Sequence, residues 1–233
     1  MANQPTTRTP ALPDDRTALL PAPGGWTTTD DLLRSTDRSR DDLELLLRAA
    51  ALDGLLVDGA LLGGGPGTWH RPSRTTLTDH RVVRGRTGSG KTTALRAFLA
   101  TEHAAGDVAS WVGDPGGHLE NDPAAPRERY AAGHQAVIEL LTEARQLISH
   151  RSTTSPIRPG LAGPLLAVDG PLVVVTVDDA YLLLMEDPQA VYLLEGIALL
   201  GPPLGVVPRI ATVLNNFIDL GSQLLWRTLN HPA

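Results

Sequence analysis

The stretch GRTGSGKT, residues 85–92, decides how the rest of the chain reads. It satisfies G-x-x-x-x-G-K-[ST] and lies between a short β-rich run, His80 to Arg84, and a helical segment, Lys91 to Thr101. Gly85, Gly88 and Gly90 let successive backbone N–H groups turn toward one anion with no Cβ in the way, and Arg86, Thr87 and Ser89 complete the loop. The concavity sits on a helix N-terminus, whose partial positive charge favours an anion. Lys91 adds a point charge able to follow the β- and γ-phosphates of a nucleotide. Thr92 adds a hydroxyl for Mg²⁺, and Thr93 extends the cradle. The chain has 19 Arg and one Lys, and that Lys is Lys91. A phosphate loop needs a slim ammonium rather than a planar fork, so the exception falls where arginine would not serve.

Such a loop calls for an apolar strand ending in an acid. PLVVVTVDDAYLLL, residues 171–184, supplies one: Leu172 to Val177 is β-branched and ends in Asp178-Asp179. Both acids belong at the carboxyl end of a central strand, beside the phosphate loop, where α/β sheets bind ligands. Asp178 is the candidate Mg²⁺ partner and Asp179 the candidate for polarising the attacking water. An Asp pair after a strand is also an ordinary turn; the phosphate loop is what gives these two a role. Further strands are expected at Val108 to Gly113 and Val206 to Leu214, with helices at Gln135 to His150 and Gln189 to Leu200. Pro208 in the last strand predicts a bulge, an edge position or a later start. Strands alternating with helices spell an α/β domain with a parallel sheet, spanning residues 74–233.

Upstream, residues 1–22 read as a flexible tail rich in Pro, Thr and Asp, and residues 23–73 as a small α+β region with its linker. TTTDDLL (27–33) and SRDDLELLLRAAAL (39–52) each begin with a hydroxyl residue followed three positions later by Asp, a helix-capping pattern. Leu43, Leu46, Leu47 and Ala50 share one helical face, and Gly54 is placed to end the helix. Asp58-Gly59 then predicts a hairpin turn within LLVDGALL. Helix, helix, hairpin is the order of a winged helix. Residues 27–57 carry seven acids against four arginines, so a packing or partner-docking unit competes with DNA reading, for which Arg38 and Arg40 are the candidates.

The whole chain, 233 residues at a formal net charge of −6, has enough apolar residues (42 %) for a buried core, which excludes fibrous and disordered classes. The absence of Cys removes disulfide scaffolds, thiolate zinc sites and cysteine nucleophiles. With neither a secretory h-region nor an apolar run long enough to span a bilayer, a cytoplasmic protein is expected. Residues 70–96 hold six Arg and Lys91 against Asp79 alone. This basic segment belongs either to the nucleotide, with Arg84 and Arg86 offsetting phosphate charge, or to a solvated loop.

TGSGKTTALRAF (87–98), WVGDPGG (111–117), the helix end LISHR (147–151), VVVTVDDAYLLL (173–184) and RIATVLNNFIDLGSQLLWRTL (209–229) occur in the order seen in the FtsK/SpoIIIE family of DNA-translocating ATPases, which residues 77–229 resemble. The resemblance implies a RecA-like core and ATP hydrolysis with Mg²⁺. It also implies a homo-oligomer, a hexameric ring around double-stranded DNA, and a possible membrane-associated partner. It makes Thr212 and Asn215 candidate γ-phosphate sensors, since Val213 stands where the family has glutamine. The family's Asp-Pro-Lys-Gly has Gly116 as its third residue here. Its Asp-Glu pair has become Asp178-Asp179, one methylene shorter at the water-polarising position. The sequence stops at Ala233, where family members usually continue.

Overall fold

Two hydroxyl residues start the two N-terminal helices. In the computed structural model, which describes residues 19–73, 76–78, 81–120, 122, 125–154, 170–213 and 221–230, Thr28 closes strand β1 (Trp26–Thr28) and caps helix α1 (Thr29–Ser35), its Oγ1 accepting the Asp31 N–H at 2.9 Å. Ser39 does the same for α2 (Arg40–Leu52), accepting the Asp42 N–H at 3.2 Å. The first helix begins later than Thr27 because residues 26–28 pair as a strand. Gly54, at φ 75°, lies just past the end of α2.

The hairpin expected at Asp58-Gly59 does not form. Asp58 ends β2 (Val57–Asp58), and its Oδ1 accepts the Ala60 N–H at 3.0 Å, starting a single 3-10 turn, Gly59–Leu62. An Asp that satisfies a following amide is a cap as readily as a turn residue, and here the cap prevails. Strand β3 (Thr68–His70) returns to pair antiparallel with both β2 and β1, giving the order β1-β3-β2. Leu43, Leu47, Leu56 and Trp69 form the core of this unit.

The larger part is a parallel sheet of β4 (Val82–Arg84), β5 (Val108–Asp114), β6 (Arg129–Ala132), β7 (Leu172–Val177) and β8 (Val206–Thr212), in the order β4-β8-β7-β5-β6. Helix α3 (Lys91–Ala105) packs on one face with Val83, Val174, Val207 and Ala211. Helices α4 (His134–Thr154), α5 (Ala180–Glu186), α6 (Pro188–Leu200) and α7 (Gln223–Asn230) pack on the other with Val173, Val175, Val177 and Ile210. The alternation along β7 thus sends successive valines to opposite cores. Val57 and Leu61 of the N-terminal unit belong to the α3-side cluster, so that unit completes one face of the sheet. This is an α/β core built on a five-stranded parallel sheet. β8 lies between the strand that enters the phosphate loop and the strand that ends in the acids.

Pro208 does not mark a bulge or an edge; it lies inside β8, in register opposite Val175. The Ile210 N–H points toward β4, donating to the Arg81 carbonyl at 2.8 Å. Pro208, two residues earlier, turns its ring to that same side, before the first described pairing of β4 at Val82↔Ile210. No donor of the described ladder is therefore lost. Helix α3 is longer than expected, ending at Gly106 with φ 73°.

A buried ionic cluster ties the layers together. Arg209 of β8 donates to Glu102 of α3, which accepts in turn from the Ser110 hydroxyl of β5. The Arg209 guanidinium also reaches the Leu77 carbonyl at 2.9 Å and lies 4.3 Å over the Phe98 ring. On the other face, Arg151 of α4 is buried and binds the carbonyls of Leu204, Gly205 and Pro171 at 2.8–3.0 Å.

Candidate functional site

Strand β4 hands the chain to Gly85, whose N–H donates to the Thr212 carbonyl at 3.2 Å and so ties the loop's start to the end of β8. A Cβ on Gly85 would lie 2.1 Å from Ser89 Oγ and 2.8 Å from Leu61, so any larger residue forces both side chains to shift. Gly88 (φ 77°) and Gly90 (φ 96°) supply the left-handed turns that point the loop's amides inward. The Ser89 N–H closes the loop on the Arg86 carbonyl at 3.0 Å, and Gly90 leads directly into α3. Lys91, nearly buried at the first helical position, bridges the concavity: its Nζ donates to the carbonyls of Gly85 at 3.1 Å and Arg86 at 3.3 Å. Arg86, Thr87, Gly88 and Ser89 are exposed, and Thr93 is half-buried behind them.

Strand order brings the second element to this loop. Thr92 Oγ1 donates to Asp178 Oδ2 at 3.2 Å, and Asp178 Oδ1 accepts the Asp179 N–H at 2.8 Å. Burial pushes the Asp178 carboxyl above the usual carboxylate range; the Asp179 amide and the Thr92 hydroxyl pull the other way, and the Asp114 and Asp179 charges add to the rise. A hydroxyl and a carboxylate converging under a triphosphate loop fit Mg²⁺, which keeps several waters and takes few protein oxygens. Among the described residues no group of three His, Asp or Glu could hold a metal, so these two would act with phosphate oxygens. Asp179 has φ 42° and ψ 49° at the start of α5 and is the one non-glycine among the described residues with positive φ. Asp tolerates this region better than most residues, and the side chain is half-buried.

Thr212 is buried at the last position of β8, in register with Arg84, one residue before the phosphate loop. Asn215 lies outside the described residues. Arg84 turns away from the phosphates: its guanidinium stacks 4.4 Å over Trp226 of α7, and it lines a separate small cleft with Leu229 and Asn230. Burial lowers its pKa. Arg40 pairs with Asp30 between α2 and α1, and Arg38 is half-buried before α2.

Sequence reasoning missed Asp114, the last residue of β5. It is fully buried, accepts the Leu119 N–H at 2.6 Å and the Tyr130 hydroxyl at 2.9 Å, and leaves Oδ1 without a hydrogen bond. Burial and this carboxylate together push the Tyr130 phenol up. The signal was present in the Asp-Pro-Gly-Gly turn. Its third position, Gly116, lies against the exposed His118 ring. Also missed was a cleft of about 570 Å³ between the phosphate loop and the N-terminal unit.

No family model matches the chain, and no curated protein matches it. Among solved structures, it is similar to one described as an ATPase, at 20 % identity and a TM-score of 0.42, over 63 % of this chain and 60 % of that one. It is similar to the pCW3 conjugation coupling protein TcpA, monomer form with ATPgS, at 16 % identity and 0.48, over 63 % and 45 % of the two chains. EssC (ATPases 2 and 3) from Geobacillus thermodenitrificans is 18 % identical with a TM-score of 0.48, over 75 % and 34 %. This chain spans less than two thirds of each. The α/β P-loop core itself is carried by this chain's own strand order and loop geometry.

Proposed function

We propose that this chain is an FtsK/SpoIIIE-like ATPase that binds ATP with Mg²⁺ and couples hydrolysis to moving double-stranded DNA, in DNA transfer or chromosome partition. It would work in the cytoplasm as a homo-oligomer, a hexamer by resemblance, beside a membrane-associated partner. The observation that carries the reading is the 3.2 Å contact between Thr92 and Asp178 beneath a loop of left-handed glycines. In this reading the loop of residues 85–93 cradles the phosphates, and Lys91 exchanges its two carbonyl contacts for β- and γ-phosphate oxygens. Mg²⁺, held by Thr92 and Asp178, would supply neutralisation of charge developing on the phosphates. Asp179 orients the attacking water, and Thr212, tied through its carbonyl to Gly85, reports the state of the loop.

A second reading is favoured by Asp179. One methylene shorter than the family's glutamate, it suits a nucleotide-binding module that hydrolyses slowly and controls a partner or a DNA-bound N-terminal unit of winged-helix type. Steady-state ATPase turnover, with and without double-stranded DNA and with Asp179→Glu in parallel, separates the two. DNA-stimulated hydrolysis by the natural sequence overturns the slow-module reading. Turnover that appears only in Asp179→Glu establishes the slow module.

A further inference from the structure

We propose that the cleft between the phosphate loop and the N-terminal unit receives the nucleoside of the bound triphosphate, so that helix α2 and strands β2 and β3 form the wall that recognises the base. The inference rests on the phosphate-loop reading and adds the part of the ligand that this reading leaves unplaced.

Continuity comes first. One wall of the cleft consists of Gly88, Ser89, Gly90, Thr93 and Ala94. A triphosphate whose β- and γ-phosphates are held by Lys91 and Thr92 carries its sugar at the other end, and the cleft opens from the same loop. Size agrees, because about 570 Å³ lies within the range of small-molecule sites.

The opposite wall has the chemistry a base needs. Leu52, Leu56, Leu61 and the Trp69 indole give it an apolar floor. Trp69 is held in place: its Nε1 donates to Thr29 Oγ1 at 3.2 Å, and that hydroxyl donates to the Gly67 carbonyl at 3.2 Å. Leu52 is 72 % exposed, a large apolar side chain that a planar heterocycle would cover. The carboxylates of Glu44 and Asp58 and the Arg48 guanidinium, on the same wall, offer acceptors and donors to ribose hydroxyls and a base edge. None of these residues belongs to the phosphate loop. Their placement gives the N-terminal unit a direct hand in nucleotide selection, and it makes the unit sense occupancy of the site.

The test compares ATP with inorganic tripolyphosphate by calorimetric titration of the full chain in Mg²⁺. The wild type is expected to bind ATP at least tenfold more tightly than tripolyphosphate. Ala51→Trp, which fills the cleft, and Leu52→Glu, at an exposed position, are expected to weaken ATP about tenfold or more and leave tripolyphosphate unchanged. Lys91→Ala is expected to lose both. ATP, but not tripolyphosphate, is expected to change the tryptophan fluorescence, and Trp69→Phe to abolish that change. Wild-type ATP affinity in both cleft variants, with circular dichroism unaltered, would overturn the inference while the phosphate-loop reading stands. Failure of the wild type to bind either compound overturns both.

Discussion

At the scale of single residues, Asp178 works against its own surroundings. Burial raises its carboxyl above the ordinary value of 3.8, so the folded state binds the proton more tightly than the unfolded chain does. The stability this brings is complete below 3.8 and is lost as pH rises through the folded value; at neutral pH the ionised carboxylate weighs against folding. Asp178→Asn is therefore expected to raise the thermal midpoint at pH 7, with the gain shrinking as pH is lowered toward 3.8. Calorimetric scans across that range check the sign. The same variant is expected to lose hydrolysis by about a hundredfold or more. Gly85→Ala, whose Cβ would meet Ser89 Oγ at 2.1 Å, is expected to weaken ATP binding at least tenfold in the same titrations. Lys91, Thr92 and the Asp178 strand were legible because the motif fixes side-chain type and backbone geometry within a few residues. Asp114 was not, since its place beside Asp178 arises from the adjacency of β5 and β7, which no local spacing encodes.

At the scale of elements, the cluster of Arg209, Glu102 and Ser110 joins β8, α3 and β5 through groups that are fully or nearly fully buried. Removing one partner leaves an uncompensated charge in the core. Glu102→Ala is accordingly expected to cost about 3–5 kcal/mol in denaturant unfolding, and Glu102→Leu combined with Arg209→Met to recover much of it. Strands β5, β7 and β8 were readable because β-branched runs bounded by Gly, Asp or Pro have few other uses. Strand β6, sequence RYAA, carries no such pattern and is a strand because β5 offers it a parallel partner. Pro208 misled for the opposite reason: a local rule about lost donors is suspended where the neighbouring strand starts later.

At the scale of the whole molecule, the N-terminal unit and the α/β core share one hydrophobic cluster through Val57 and Leu61, against Val83, Ala94 and Leu95. The two are expected to unfold in one transition, followed equally by far-ultraviolet dichroism and by the fluorescence of a Trp26→Phe, Trp111→Phe, Trp226→Phe variant, which keeps Trp69. ATP at a hundred times its Kd is expected to raise stability by about 2.7 kcal/mol in both signals. Separate transitions, with ATP moving only one, would show that the shared cluster does not couple them. Composition and periodicity suggested two units; the contact between Val57, Leu61 and the core was hidden because those two residues read equally well as the core of a free-standing unit.

Among the described residues, β4 pairs with β8 alone, and β8 is the last strand of the sheet. A chain emerging from the ribosome makes its phosphate loop early, beside Leu61 of the N-terminal unit, yet the strand pairing of β4 and the Gly85 N–H bond to Thr212 wait until Val206–Thr212 has followed. Asp178 likewise reaches Thr92 only when β8 has wedged in between. On the reading proposed above, a nascent chain is expected to gain its full affinity for nucleotide only once β8 is in place. Nucleotide bound in that way is expected to act as a late clamp on the assembled β4-β8-β7 strands, not as a template for them.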